Sequence, residues 1–184
     1  MEFSFREGTT LRIEDSKVEE LVSKIFSRPF SKEDGGILLG SFDPALNEYR
    51  VAAFTYPTEK EDCSAVHFVR QKNLANEAIK DAWEKSEGTV NYLGEWHTHN
   101  EVNPHPSGTD MRLMQTIVED GNCVFDRTFM LIFGHGGGVF CAMVEKDKDG
   151  SFAETTRSEW KQRPKPVPQG YWDHGSSYEG ECIL

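Results

Sequence analysis

Phe3 and Phe5 alternate with polar residues, and Glu7-Gly8 leads into Thr10-Leu11-Arg12-Ile13. A period of two broken by a turn predicts a short hairpin. The period then changes. Val18, Leu21, Val22, Ile25 and Phe26 recur at helical spacing behind Asp15 and Ser16, either of which can cap a helix, and Pro29 ends the segment. Gly35-Gly36-Ile37-Leu38-Leu39-Gly40 is a continuous apolar run, the signature of a strand covered on both faces. Asp43-Pro44 turns the chain into a partner strand over 49–56. A charged loop over 59–62 precedes an extended piece at 66–69 and a helix over 71–85. Residues 89–97 form another strand, with Val90 and Tyr92 on one face. A loop rich in Pro and His covers 100–108, and Thr109 caps a helix over 110–119 with Met111, Met114, Ile117 and Val118 as its apolar stripe. Two strands, 128–133 and 139–145, flank a glycine-rich tip. That tip lacks the lysine and the strand–loop–helix setting of a phosphate loop, so it reads as a hairpin turn.

Strands alternate with helices while hairpins stand at both ends of the order, which predicts an α/β fold with a mixed sheet covered by helices. Hydrophobicity falls after Glu145. The expected organisation is a folded body over 1–145 and a polar extension over 146–184, whose 161–168 stretch carries three prolines and whose last dozen residues are mobile.

Charge narrows the function classes. Over 184 residues, 31 Asp and Glu stand against 20 Lys and Arg, a net −11. Nucleic-acid binding draws its affinity from cations meeting phosphates, so no nucleic-acid partner is expected, and an anionic membrane surface is disfavoured on the same ground. A protein partner with a basic face is favoured. The longest apolar run, 129–133, is too short to span a bilayer, and the charged first residues do not form a secretory leader. Cys63, Cys123, Cys141 and Cys182 include no C-x-x-C pair, and Cys182 is one position too late for prenylation. These features predict a soluble cytoplasmic protein with reduced thiols.

The chemistry concentrates in Glu95-Trp96-His97-Thr98-His99, at the end of a predicted strand. Residues two apart on a strand share a side, so His97 and His99 can converge on one ion. Asp110 follows in the first turn of the next helix, after a loop long enough to fold back. Two imidazoles and a carboxylate are a catalytic zinc set that leaves one position open. Zinc in such a site makes hydroxide available near neutral pH. There is no H-E-x-x-H, no deaminase H-x-E with P-C-x-x-C, and the chain is too short for a barrel hydrolase that opens with His-x-His.

Glu33-Asp34-Gly35-Gly36-Ile37-Leu38-Leu39-Gly40, Gly94-Glu95-Trp96-His97-Thr98-His99 and Ser107-Gly108-Thr109-Asp110 together resemble the JAMM (JAB, MPN-plus) metalloproteases over about residues 1–145. The resemblance implies a curved mixed β-sheet flanked by helices, related to the cytidine deaminase-like architecture. It implies one zinc ion held by His97, His99 and Asp110. Glu33 matches the glutamate that takes a proton from the attacking water and gives it to the leaving amine, and Ser107 matches the serine that helps hold the oxyanion. The implied reaction is hydrolysis after the C-terminal glycine of ubiquitin or a ubiquitin-like protein. Asn100 replaces the proline many members have after the second histidine, a departure that bears on the substrate groove. The compact size and the G-E-W-H-T-H string are most similar to stand-alone bacterial members, including those of CBASS anti-phage systems, which work beside ubiquitin-activating and ubiquitin-conjugating-like enzymes. Two alternatives stay open: a peptidase that processes sulfur-carrier proteins, and a non-catalytic scaffold of the same fold. The bland reading covers the rest. His105 is an exposed loop residue, Cys63 and Cys141 are small strand residues, Trp83 and Trp160 pack, and Trp96 packs beneath the site.

Overall fold

The apolar run after Asp34 becomes the centre of the molecule. The computed structural model describes residues 1–26, 33–56, 62–64, 67–69, 72–119, 123–134, 137–146 and 152–154. Strands β1 (Glu2–Ser4) and β2 (Thr10–Ile13) form the expected hairpin, joined by a short 3-10 turn. β3 (Gly35–Asp43) and β4 (Glu48–Phe54) pair antiparallel, β7 (Asn91–His99) lies on the other side of β3, and β8 (Arg127–Gly134) runs parallel to β7. β9 (Val139–Lys146) returns beside β8, and β10 (Phe152–Glu154) adds a last strand from the region after Glu145. The eight-stranded mixed sheet has the order β1-β2-β4-β3-β7-β8-β9-β10, while β5 (Asp62–Ser64) and β6 (His67–Val69) make a separate hairpin.

Three helices cover this sheet: α1 (Asp15–Phe26), α2 (Lys72–Lys85) and α3 (Gly108–Glu119). Val18, Leu21 and Ile25 of α1 join Leu38, Leu93, Trp96, Phe129 and Leu131 in the main core. Phe5, beside the first strand, packs its ring 5.6 Å from that of Phe129, tilted by 52°, on the sixth strand in the order, so the sheet curves around this face. The opposite face carries two smaller clusters. Ala75 of α2 packs with Ile37, Leu39 and Tyr92, and Met114 and Val118 of α3 pack with Met130, Ile132 and Phe140. β3 is therefore apolar on both sides, as its sequence predicts.

Close approach dictates the glycine at position 36. A Cβ there would strike the Thr55 carbonyl and lie 2.8 Å from the Trp96 indole nitrogen, which donates to that same carbonyl at 2.9 Å. Trp96 is fully buried between Phe54, Tyr56 and Phe133, as expected of a residue beneath the site.

Several boundaries move. β7 reaches His99, not His97, because Thr98 still exchanges bonds with Asp34 and His99 is still paired with Gly134. Asp62 belongs to a strand instead of the preceding loop. α3 starts two residues before the expected position, capped by Ser107 in place of Thr109. Trp83 is partly exposed, its ring against Gly88. Pro29, Trp160, the 161–168 stretch and the C-terminal tail lie outside the described residues. Among the described residues, no helix is long and apolar enough to cross a membrane.

Candidate metal centre

β7 supplies two ligand candidates because its alternation turns Trp96 into the main core and His97 and His99 to the other face. α3 supplies the third through its cap. The Ser107 hydroxyl accepts from the Asp110 amide at 3.2 Å, and the Asp110 carboxylate accepts from the Ser107 amide at 2.6 Å. This reciprocal capping box fixes the aspartate at the third helical position. The carboxylate then faces both imidazoles, with Oδ1 3.4 Å from His97 Nε2 and Oδ2 3.5 Å from His99 Nε2.

The two Nε2 atoms are 3.1 Å apart, and both histidines are buried. Zinc bonded to nitrogen and oxygen at about 2.1 Å in a tetrahedron separates its ligand atoms by about 3.4 Å. The two imidazole nitrogens lie close to that edge, and each lies about that distance from a different oxygen of Asp110. Taken one atom per residue, the ligand atoms lie within 4.8 Å of one another, so His97, His99 and Asp110 could hold a metal ion. The donor set, two imidazoles and one carboxylate with a fourth side open, fits zinc.

Protonation favours the same use. Burial, then the facing His97, lowers the proton affinity of His99, outweighing Asp110, Glu101 and a bond to the His105 backbone. Nε2 of His99 faces Nε2 of His97 and the Asp110 carboxylate. Burial opposes ionisation of Asp110. Even so, hydrogen bonds from His97 and Ser107, with the charge of His97, hold its carboxyl well below the usual range.

Glu33 stands just before β3, half-buried. Asp34 and Thr98 are joined by backbone and side-chain bonds, among them Asp34 N–H to Thr98 Oγ1 at 2.9 Å and Thr98 N–H to the Asp34 carbonyl at 2.8 Å. Gly35 pairs with His97, so the antiparallel register carried two residues back sets Glu33 across from His99. Ser107 is exposed beside Asp110, its oxygen accepting from the Asp110 amide and its hydroxyl favouring the ionised Asp110 carboxylate. All five predicted residues thus collect at one end of the β3–β7–β8 sheet.

The sequence reading missed backbone contributors. The His105 backbone at His99 and the Thr98 tie to Asp34 have no residue-type signature. Glu95 was read only as part of the string, yet it is buried and accepts from the Tyr92 hydroxyl at 2.7 Å. Burial raises the thiol pKa of Cys123, and strongly that of Cys141, so neither is a ready nucleophile.

Known proteins match this arrangement. A protein of Pseudomonas aeruginosa named CD-NTase/cGAS isopeptidase is 37% identical over 103 residues, covering 55% of this chain and 63% of that protein. One of Enterobacter hormaechei with the same name is 27% identical over 125 residues, covering 68% of this chain and 67% of its own length. This chain therefore spans less than two thirds of the Pseudomonas relative. A Desulfitobacterium hafniense protein solved in solution superposes with a TM-score of 0.53 at 23% identity, over 78% of this chain and 88% of that one, a likeness of fold. The family described as prokaryotic homologs of the JAB domain matches residues 16–157, a span containing all five site residues, and the chain belongs to that family.

Proposed function

We propose that this chain is a zinc isopeptidase that releases proteins joined to the C-terminal glycine of a ubiquitin-like protein. Its substrates are conjugates of the nucleotidyltransferase class named in its relatives, in cytoplasmic anti-phage defence. The observation that carries the reading is the convergence of His97, His99 and Asp110, whose ligand atoms lie within 4.8 Å of one another, with Glu33 across the strand from His99. The chemistry that zinc supplies in such a site is Lewis acidity, which makes water nucleophilic near neutral pH and polarises a carbonyl.

The chain's own residues do the rest. His97, His99 and Asp110 hold the ion with deprotonated donors. Glu33 takes the proton from the attacking water and passes it to the leaving lysine amine, so one carboxylate serves as base and then acid. Ser107 donates its hydroxyl proton to the developing oxyanion. No side chain is acylated. Ubiquitin-activating and ubiquitin-conjugating-like enzymes make the conjugates that this reaction undoes.

Protein purified without chelator is expected to hold one zinc ion and to cut a lysine-linked conjugate of a ubiquitin-like protein faster than a linear precursor. Glu33→Gln keeps the zinc and loses about 10²–10⁴ in turnover, whereas His97→Ala loses both. A metal-free wild-type protein indistinguishable from His97→Ala sinks the proposal. Loss of zinc in Glu33→Gln removes Glu33 from the role of base. Preference for the linear precursor moves the function to carrier processing.

A further inference from the structure

The loop between the second histidine and the capping serine, residues 100–107, has few side chains of its own to fix it. Glu101, Val102, Asn103, His105 and Ser107 are exposed, and only Pro104 is buried. What it rests on is glycine. A Cβ at Gly134, the last residue of β8 and the sheet partner of His99, would strike the Glu101 carbonyl and come within 2.8 Å of the Val102 carbonyl and the Pro104 ring. A Cβ at Gly138 would meet the Val102 carbonyl at 2.5 Å and the Pro104 ring at 3.1 Å. Gly134 and Gly138 are themselves joined, the amide of Gly134 donating to the Gly138 carbonyl at 2.8 Å. The two glycines thus form one floor, and the loop's backbone lies on it closer than any side chain would permit.

We propose that Gly134 and Gly138 are positioning residues for the metal centre, a side-chain-free seat that sets the height of the 100–107 loop above the strand ends. The proposal rests on the zinc reading of that centre. Two consequences of the seat converge on the ligands. His99 is the residue before the loop and lies beside Gly134 in the sheet. Ser107, at the loop's end, caps α3 and fixes the Asp110 carboxylate. The atoms that a Cβ would meet are backbone carbonyls and the ring of Pro104, which cannot swing aside as the tip of a long side chain would. An added methyl must lift the loop as a whole, and with it the segment that follows His99 and the approach of Asp110. A partner such as Ser107 to a metal ligand is worth about 10–100-fold in metal affinity.

The test is zinc affinity by chelator competition on Gly134→Ala and Gly138→Ala, read beside the thermal midpoint of the metal-free proteins. Both variants are expected to bind zinc about 10–100-fold more weakly than wild type. Gly88→Ala, at a left-handed turn (φ +84°) between α2 and β7, is the control: it loses stability and keeps wild-type affinity. A folded Gly134→Ala or Gly138→Ala with unchanged zinc affinity overturns the seat, as does an equal loss in Gly88→Ala. Should neither alanine variant fold, Pro104→Gly loosens the loop from its own side, and an unchanged affinity there overturns it as well. A wild-type protein that takes up no zinc overturns instead the metal reading beneath it.

Discussion

Burial and the facing His97 keep His99 neutral where a free imidazole would begin to protonate, and Asp110 stays ionised because of its bonds to His97 and Ser107 despite its own burial. The sign of the consequence follows from proton counting. Both groups bind protons less readily folded than unfolded, so their contributions are present above the unfolded pKa values and are lost as pH falls. For His99 the loss sets in below about 6.5, and for Asp110 it sets in below about 3.8. Urea unfolding of the metal-free protein is therefore expected to show a first decline in stability beginning near pH 6.5. His99→Gln abolishes that decline; an unchanged profile in the variant assigns it elsewhere. Such candidate ligands are legible in the sequence because their side chains are the chemistry: His-x-His on a strand followed by Asp at a helix start has few other uses. Glu33 was legible only through the resemblance, since a glutamate before a glycine-rich strand has no chemistry of its own to advertise. The His105 backbone bond and the two seat glycines were illegible. A backbone group is the same in every residue, and an absent side chain announces nothing until the backbone it admits is seen.

At the level of the element, Ser107 has one observed job and one proposed one, which a single substitution would confuse. Its oxygen caps α3 by accepting from the Asp110 amide, and in the proposed reaction its hydroxyl donates to the oxyanion. Ser107→Ala removes both, costing about 1 kcal/mol of stability for the lost cap and about 10²–10³ in turnover for the lost oxyanion donor. Ser107→Gly separates them. Glycine is a tolerable cap, only a few tenths of a kcal/mol below serine, so stability returns most of the way while turnover stays low. Turnover that tracks stability across the two variants would assign Ser107 to the helix alone. The same motif explains where element reading failed. Thr109 and Ser107 are both plausible caps by residue type, and the deciding signal is the acid three positions after the serine, S-x-x-D, a spacing that serves a cap and a ligand alike. β7 was cut short for a related reason: His97, Thr98 and His99 are polar, and polar residues look like a strand's end. They remain in the strand because Asp34 and Gly134 go on pairing with it. β3, by contrast, was read correctly because two helices on opposite faces demand an uninterrupted apolar run, and that demand is written in its composition.

Across the whole molecule the curved sheet brings its first hairpin against its late strands, far from the metal centre. Arg6 reaches Glu145 of β9 at 2.6 Å, 139 residues along the chain, and Arg127 at the start of β8 binds the other oxygen of Glu145 at 2.7 Å. Arg127 also reaches Glu7 and Asn47 at 3.2 Å each, so one guanidinium ties three separate turns and strands together. This cluster sits at the opening residue of the strand whose last residue, Gly134, borders the site. Seven steps at about 3.3 Å put roughly 23 Å between them. Distant, unshared sites contribute independently. Glu145 is the acceptor both arginines share. Burial works against its charge, yet Arg6 and Arg127 hold its carboxyl below the ordinary value. Its contribution is therefore present above pH 4.5 and fades as the pH falls below that. Glu145→Gln is expected to cost about 1 kcal/mol at pH 7, even though it removes one of 31 acidic residues from a chain of net charge −11 and so eases self-repulsion. The gap between wild type and variant closes as urea unfolding is carried below pH 4, and zinc affinity is the same in both. A gap that persists in acid would make the loss one of packing rather than charge. A shift in zinc affinity would mean that the curvature held by these charges at one pole sets the ligand geometry at the other.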